Sequence, residues 1–334
     1  MPFSSLGYAS DIKHIKVTDK TVFICDIDGT LAPLRDPPFA RKIDPTSYES
    51  LSAFNKACPD QVILATARDR KQIRSDFDRD LSVFPKILGN GSRLVLPSGK
   101  EYEFPISERE KTFLGYMKEK MTEYQDRLGK IIIIEVKSDE IGFHNLPAKG
   151  HDVKSPEGKK LLEKAFKEVS ALAEKLVKEA KEKGLNFGYY NSYEKTHTSI
   201  CHLGINKTEA LTVFHNVLPQ LPQKDEDWQH VVFCCDSLCI PGNDRPLGIE
   251  VVKRGGVVVQ VTNKDHRNIP SVEDCAQPHM AVATTKEMGR LLDFHIKPFV
   301  AQKEKKQQAH KKEVRGLSLV RKKRAGKNIH TLTI

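Results

Sequence analysis

The feature that most constrains this chain is a short apolar run ending in carboxylates, Thr21-Val-Phe-Ile-Cys-Asp26, followed by Ile27-Asp28-Gly29-Thr30. A β-branched run without alternating polar positions fits a strand buried on both faces, with the charged residues at its carboxyl end. Two further runs share this form, Gln61-Val-Ile-Leu-Ala-Thr66 and Val231-Val-Phe-Cys-Cys-Asp236. Alternation along an extended chain puts Asp26 and Asp28 on the same side, at the edge where open α/β sheets bind ligands.

The segments between these runs have a helical period. An amphipathic stretch from Pro45 to Ala57, a helix from Lys71 to Leu81 and a strand at Lys86 to Leu88 give the order of an α/β, doubly wound, mostly parallel sheet. Beyond Gly89-Asn-Gly91 the pattern turns to hairpin pieces: Arg93 to Leu96, the turn Pro97-Ser-Gly99, and Glu101 to Phe104. Strands are expected at Ile131 to Lys137 and Ile141 to Asn145. A long helix is expected between Ser155 and Gly184, with Pro156 at its first position and Leu162, Phe166, Val169, Ala173, Leu176 and Ala180 on one face. The core pattern resumes at Asn206, with a helix from Lys207 to Val217 and strands at 231–235, 256–261 and 280–283. The expected organisation is a core over 1–90, an inserted α+β domain over 91–200, a second core part over 201–298, and a tail over 299–334.

Charge and cysteine exclude several classes. The net charge of +10 sits almost wholly in residues 301–334, where eleven Lys or Arg face Glu304 and Glu313 alone. That tail is expected to be disordered or a lone helix, and its partner would be anionic, a nucleic acid or a membrane surface. No apolar run reaches the roughly 18 residues of a spanning helix, and the start of the chain lacks a signal-peptide layout, so a cytoplasmic protein is expected. Seven scattered cysteines read as reduced thiols, and Cys235 with Cys239 has no matching pair for zinc.

Asp26-Ile-Asp28-Gly29-Thr30 after a strand resembles the first motif of the haloacid dehalogenase superfamily. The resemblance spans residues 20 to 295. It implies that Asp26 is a nucleophile forming an aspartyl-phosphate, and that Asp28 is the general acid and base. Thr66, within Leu64-Ala-Thr-Ala-Arg68, corresponds to the second motif, and Lys207, within Gly204-Ile-Asn-Lys-Thr-Glu-Ala-Leu211, to the third. The resemblance also places Gly29, Thr66, Ala67 and Lys207 around the phosphate. Asp26, Asp28 (through its backbone carbonyl), Asp236 and Asp244 would hold Mg²⁺, a cation that prefers oxygen donors.

The fourth motif departs from the family. Cys235 stands where the family has glycine, and Ile240 stands where it has a second acid. Asn243-Asp244 reads as that second half displaced by an insertion of about Cys239 to Gly242, so Asp244 would bind metal-bound water or position Lys207.

The roughly 140 residues between Thr66 and Lys207 resemble a cap of the second type, as in trehalose-6-phosphate and sucrose-6-phosphate phosphatases. Lys137, His144, Tyr189, Tyr190 and His197 are its candidates for substrate contact. The expected activity is hydrolysis of a small phosphomonoester, a sugar phosphate, by a Mg²⁺-dependent phosphatase. The alternatives are a phosphatase for nucleic-acid ends or phosphoproteins recruited by the tail, and a non-catalytic binding protein that keeps the fold.

Overall fold

The computed structural model describes residues 15–33, 42–75, 77, 80–128, 133–136, 140–144, 155–191, 197–238, 243–262 and 279–327. Its strands are β1 (Val22–Cys25), β2 (Val62–Ala65), β3 (Lys86–Leu88), β4 (Arg93–Val95), β5 (Glu101–Glu103), β6 (Ile133–Val136), β7 (Glu140–His144), β8 (Phe187–Asn191), β9 (His197–His202), β10 (Val231–Cys235), β11 (Val257–Val261) and β12 (His279–Val282). Its helices are α1 (Pro45–Ala57), α2 (Arg70–Ser75), α3 (Glu108–Leu128), α4 (Pro156–Glu182), α5 (Lys207–Phe214), α6 (Asp225–Trp228), α7 (Arg245–Lys253) and α8 (Thr285–Lys327).

The main sheet has eight strands in the order β12-β11-β10-β1-β2-β3-β4-β5. The first six run parallel, and β4 and β5 continue the edge antiparallel. The three apolar runs lie side by side, with Cys25 level with Cys234 and with Leu64. Alternation divides their side chains between two cores. Phe23, Cys25, Leu64 and Cys234 face Leu51 and Phe54 of α1 and Met288 and Leu292 of α8. Ile24, Ile63 and Phe233 face Leu211 and Phe214 of α5 and Leu247 and Val251 of α7. Burial on both faces explains why these strands contain no polar positions.

The hairpin strands expected in the insert, β4 and β5, extend this main sheet instead, so the boundary expected at residue 91 does not coincide with a change of sheet. Leu94 supplies the reason, because it lies in the same core as Ile87 and Ile63 and is fully buried there. The second sheet, ordered β6-β7-β9-β8, is antiparallel throughout. It is served by its own core, in which Phe113, Met117 and Met121 of α3 meet Val169, Ala173 and Leu176 of α4, with Phe187 and Ile200 beneath them.

Local chemistry sets the helix ends. The Ser155 hydroxyl accepts from Gly158 N–H at 3.0 Å and Pro156 follows it, while Gly184 turns the chain at φ 69°. The sequence reading assigns no helix at α3, although its signal is present. The Ser107 side chain accepts from Glu110 N–H at 3.2 Å, and Glu110 accepts from Ser107 N–H at 2.9 Å, a capping box. The helix expected over 71–81 is shorter. It ends at Ser75, and Asp80 instead caps a 3₁₀ turn over Leu81–Val83 by accepting from Ser82 N–H at 2.9 Å.

Of the two expectations for the basic tail, the chain follows the helical one as far as Lys327, as a continuation of α8. Its first half is anchored by Ile296 and Leu292 in the core and by Phe299 against Phe54, with ring centroids 5.6 Å apart; residues 304–314 are exposed. No described helix is long and apolar enough to cross a membrane.

Candidate active site

The strand order reverses at β1, whose neighbours are β2 on one side and β10 on the other, so the crevice of this sheet opens at the carboxyl ends of β1 and β10. Asp26 follows β1 and Asp236 follows β10. Between them comes Lys207, the first residue of α5, held there because the Asn206 side chain caps that helix by accepting from Thr208 N–H at 2.9 Å and Glu209 N–H at 3.0 Å. The loop before the insert braces the same point. A Cβ on Gly91, which sits at φ +123°, would lie 2.5 Å from the Asn206 carbonyl oxygen, so only glycine fits there.

Lys207 is buried and donates from Nζ to Asp26 Oδ1 at 2.8 Å and to Asp244 Oδ1 at 2.6 Å. The other oxygen of Asp244 accepts from Ser237 N–H at 3.2 Å, which ties the start of α7 back to the end of β10. Asp244 thus returns to the site across residues 239–242, which lie outside the described residues. One carboxylate oxygen from each of Asp26, Asp236 and Asp244 lies within 4.8 Å of the others.

Three carboxylates against one ammonium leave an excess of negative charge in a desolvated place. Burial pushes Asp26 up to about 7; Lys207 pulls it back, and Asp244 and Asp28 raise it again. Burial, then Asp26 and Asp244, hold Asp236 well above the usual carboxylate range. For Lys207, burial disfavours the charge but Asp244 and Asp26 outweigh it, so its pKa stands above the ordinary lysine value. An all-oxygen donor set with surplus negative charge fits a hard divalent cation and does not fit a soft one.

Asp28 and Thr66 stand at the same edge. Thr66 is buried, and its hydroxyl accepts from Arg68 N–H at 3.2 Å. Gly29, at φ 79°, makes the turn after Asp28 and donates from its N–H to Ala32 O at 2.7 Å. Ala67 lies between Thr66 and Arg68 in the loop after β2.

Arg68 is the residue that sequence reasoning passed over. Its guanidinium forks onto Asp28, with Nε 2.6 Å from Oδ2 and Nη2 3.0 Å from Oδ1, and it stacks 5.0 Å from the Phe77 ring centroid. The signal available was its position two residues past a strand-ending Thr66, among other loop cations.

The backbones of His144 and His197 are paired across β7 and β9, and Tyr189, on β8, is exposed. Lys137 lies outside the described residues, as do the side chains of His144, Tyr190 and His197.

The fold and this edge define the class: a doubly wound α/β protein with a lysine-bridged acid cluster at its topological switch point and an α+β insert. Solved structures share the fold. A trehalose-6-phosphate phosphatase related protein is 16% identical with a TM-score of 0.52, over 84% of this chain and 100% of that one. The C-terminal domain of a C. albicans trehalose-6-phosphate phosphatase is 16% identical with a TM-score of 0.51, over 87% and 97%. An Aspergillus fumigatus trehalose-6-phosphate phosphatase is 12% identical with a TM-score of 0.50, over 87% and 98%. The sequence matches no protein-family model and no curated protein. At 12–16% identity the likeness is one of fold: the chain shares the fold of these trehalose-6-phosphate phosphatase structures.

Proposed function

We propose that this protein is a phosphatase that hydrolyses a small phosphomonoester, a sugar phosphate, through an aspartyl-phosphate on Asp26. The observation that carries the reading is the Lys207 ammonium bridging Asp26 and Asp244, with Asp236 beside them. Such a cluster is costly to bury and gives nothing to packing, whereas it suits a transferring phosphoryl group.

Asp26 attacks phosphorus, forming its O–P bond as the bond to the leaving oxygen breaks, and Asp28 gives that oxygen a proton. Asp28 then takes a proton from water, whose oxygen attacks the phosphorus and frees Asp26 and inorganic phosphate. Lys207 and Thr66 bind the phosphoryl oxygens, with the Gly29 and Ala67 backbone nearby. Asp26, Asp236 and Asp244, with the Asp28 carbonyl, would hold Mg²⁺. When bound, this ion neutralises the carboxylates and polarises phosphate oxygens. The return of Asp244 to Lys207 weighs against the non-catalytic reading, whose motive was the displaced fourth motif. A small substrate is favoured because an insert of this size, closing over the site as a cap, would exclude water and bulky leaving groups.

The test is phosphate release from p-nitrophenyl phosphate and from a panel of sugar phosphates, with Mg²⁺ or EDTA, for the wild type and Asp26→Asn. Mg²⁺-dependent release by the wild type, lost in the variant, is expected. Equal rates for the two proteins would remove the proposal.

A further inference from the structure

Arg68 is as tightly built into the site as the acids. It is 7% exposed, and its backbone is pinned at both ends: N–H to the Thr66 hydroxyl at 3.2 Å, and carbonyl to Gly89 N–H at 3.0 Å. From that fixed base the guanidinium reaches Asp28 and engages both of its oxygens. Phe77 backs the guanidinium on its flat face. A forked pair of this kind fixes the plane of a carboxylate as well as its place, which a single ammonium cannot do.

We infer that Arg68 is a positioning residue for the proton transfer made by Asp28, resting on the phosphatase reading above. The fork takes one lone pair on each Asp28 oxygen, so the proton is carried on a lone pair that the fork leaves. Without the fork, the plane of the Asp28 carboxylate loses the constraint that two parallel N–H bonds impose. The arrangement holds the carboxylate plane, and with it the direction in which Asp28 presents a proton to the leaving oxygen. Asp28 loses that proton to the leaving oxygen and regains one from water, so Arg68 itself exchanges no proton.

This assignment predicts dependence on the leaving group. An alkyl phosphate needs a proton on its departing oxygen, whereas p-nitrophenolate leaves without one. The experiment compares kcat/KM for glucose 6-phosphate, as an alkyl probe, with kcat/KM for p-nitrophenyl phosphate in the wild type, Arg68→Lys, Arg68→Gln, Asp28→Asn and the Asp28→Asn/Arg68→Lys double variant. The ratio of the two constants is read within each preparation, so a partly unfolded sample cannot mimic the effect. In both Arg68 variants the alkyl constant should fall at least about tenfold further than the aryl one, within the range general acid catalysis supplies. The double variant should be no worse than Asp28→Asn, because both changes remove one function. Equal losses on the two substrates, or additive losses in the double variant, would overturn the role of Arg68. A wild type inactive on both probes would instead sink the phosphatase reading, and this inference with it.

Discussion

Lys207 and Asp244 are 37 positions apart in sequence and meet at 2.6 Å, Nζ to Oδ1, with Asp244 fully buried. In the proposed phosphatase, Asp244 at the N-terminal end of α7 takes the place of the acid missing four residues after Asp236. The contact also means that Lys207 serves two carboxylates at once, and that losing it leaves two buried acids facing each other.

Lys207→Met should therefore cost stability as well as activity. Removing one member of a buried ionic cluster costs about 3–5 kcal/mol, and neutral Met cannot offset Asp26 and Asp244. Urea denaturation at neutral pH measures this, and a variant as stable as the wild type would show that the cluster is solvated.

The acid cluster also sets a pH dependence. Asp26 is raised from an ordinary 3.8 to about 7, so folding is penalised once the unfolded chain ionises this group and the folded one resists. In EDTA, wild-type stability should fall relative to Asp26→Asn as pH rises from about 4 to about 7, by roughly 1.4 kcal/mol per unit at most. Millimolar Mg²⁺ should narrow that gap by binding the folded acids, by about 2.7 kcal/mol at one hundred times its dissociation constant. A gap that is flat with pH would contradict the burial of Asp26.

Gly91→Ala tests the brace under α5. The added methyl would meet the Asn206 carbonyl at 2.5 Å in a backbone conformation, φ +123°, that alanine avoids. A loss of about 2 kcal/mol or more is expected, accompanied by lower turnover because Asn206 is the cap that seats Lys207. Melting temperature and phosphate release should fall together.

Glu110 and His202 join the start of α3 to the end of β9, with Glu110 Oε1 2.9 Å from His202 Nε2. Burial works against the Glu110 charge, but hydrogen bonds from Ser107 and His202 overcome it and hold the carboxyl at about 2. Because the folded value is depressed, its contribution is present above the unfolded 4.5 and is lost as pH falls through about 2. Glu110→Gln should be about 1–3 kcal/mol less stable near neutrality, with the difference closing between pH 4.5 and 2.

The strands that end in Asp26, Thr66 and Asp236 were legible because a buried parallel strand must be apolar throughout and its end must be polar. The cap of α4 was legible for a similar local reason, Ser155 followed by Pro156. The α3 helix was equally local and was overlooked, although Ser107 and Glu110 are its capping box. That β4 and β5 belong to the main sheet was not readable, because a hairpin pattern states which strands pair and not which sheet edge receives them. Asp244 and Arg68 mark the same division: each forms its contact only after the chain has returned from elsewhere, so no spacing in the sequence fixes either distance. Local periodicity and side-chain chemistry determined the elements and which groups end them; packing alone decided which of those groups share one desolvated site.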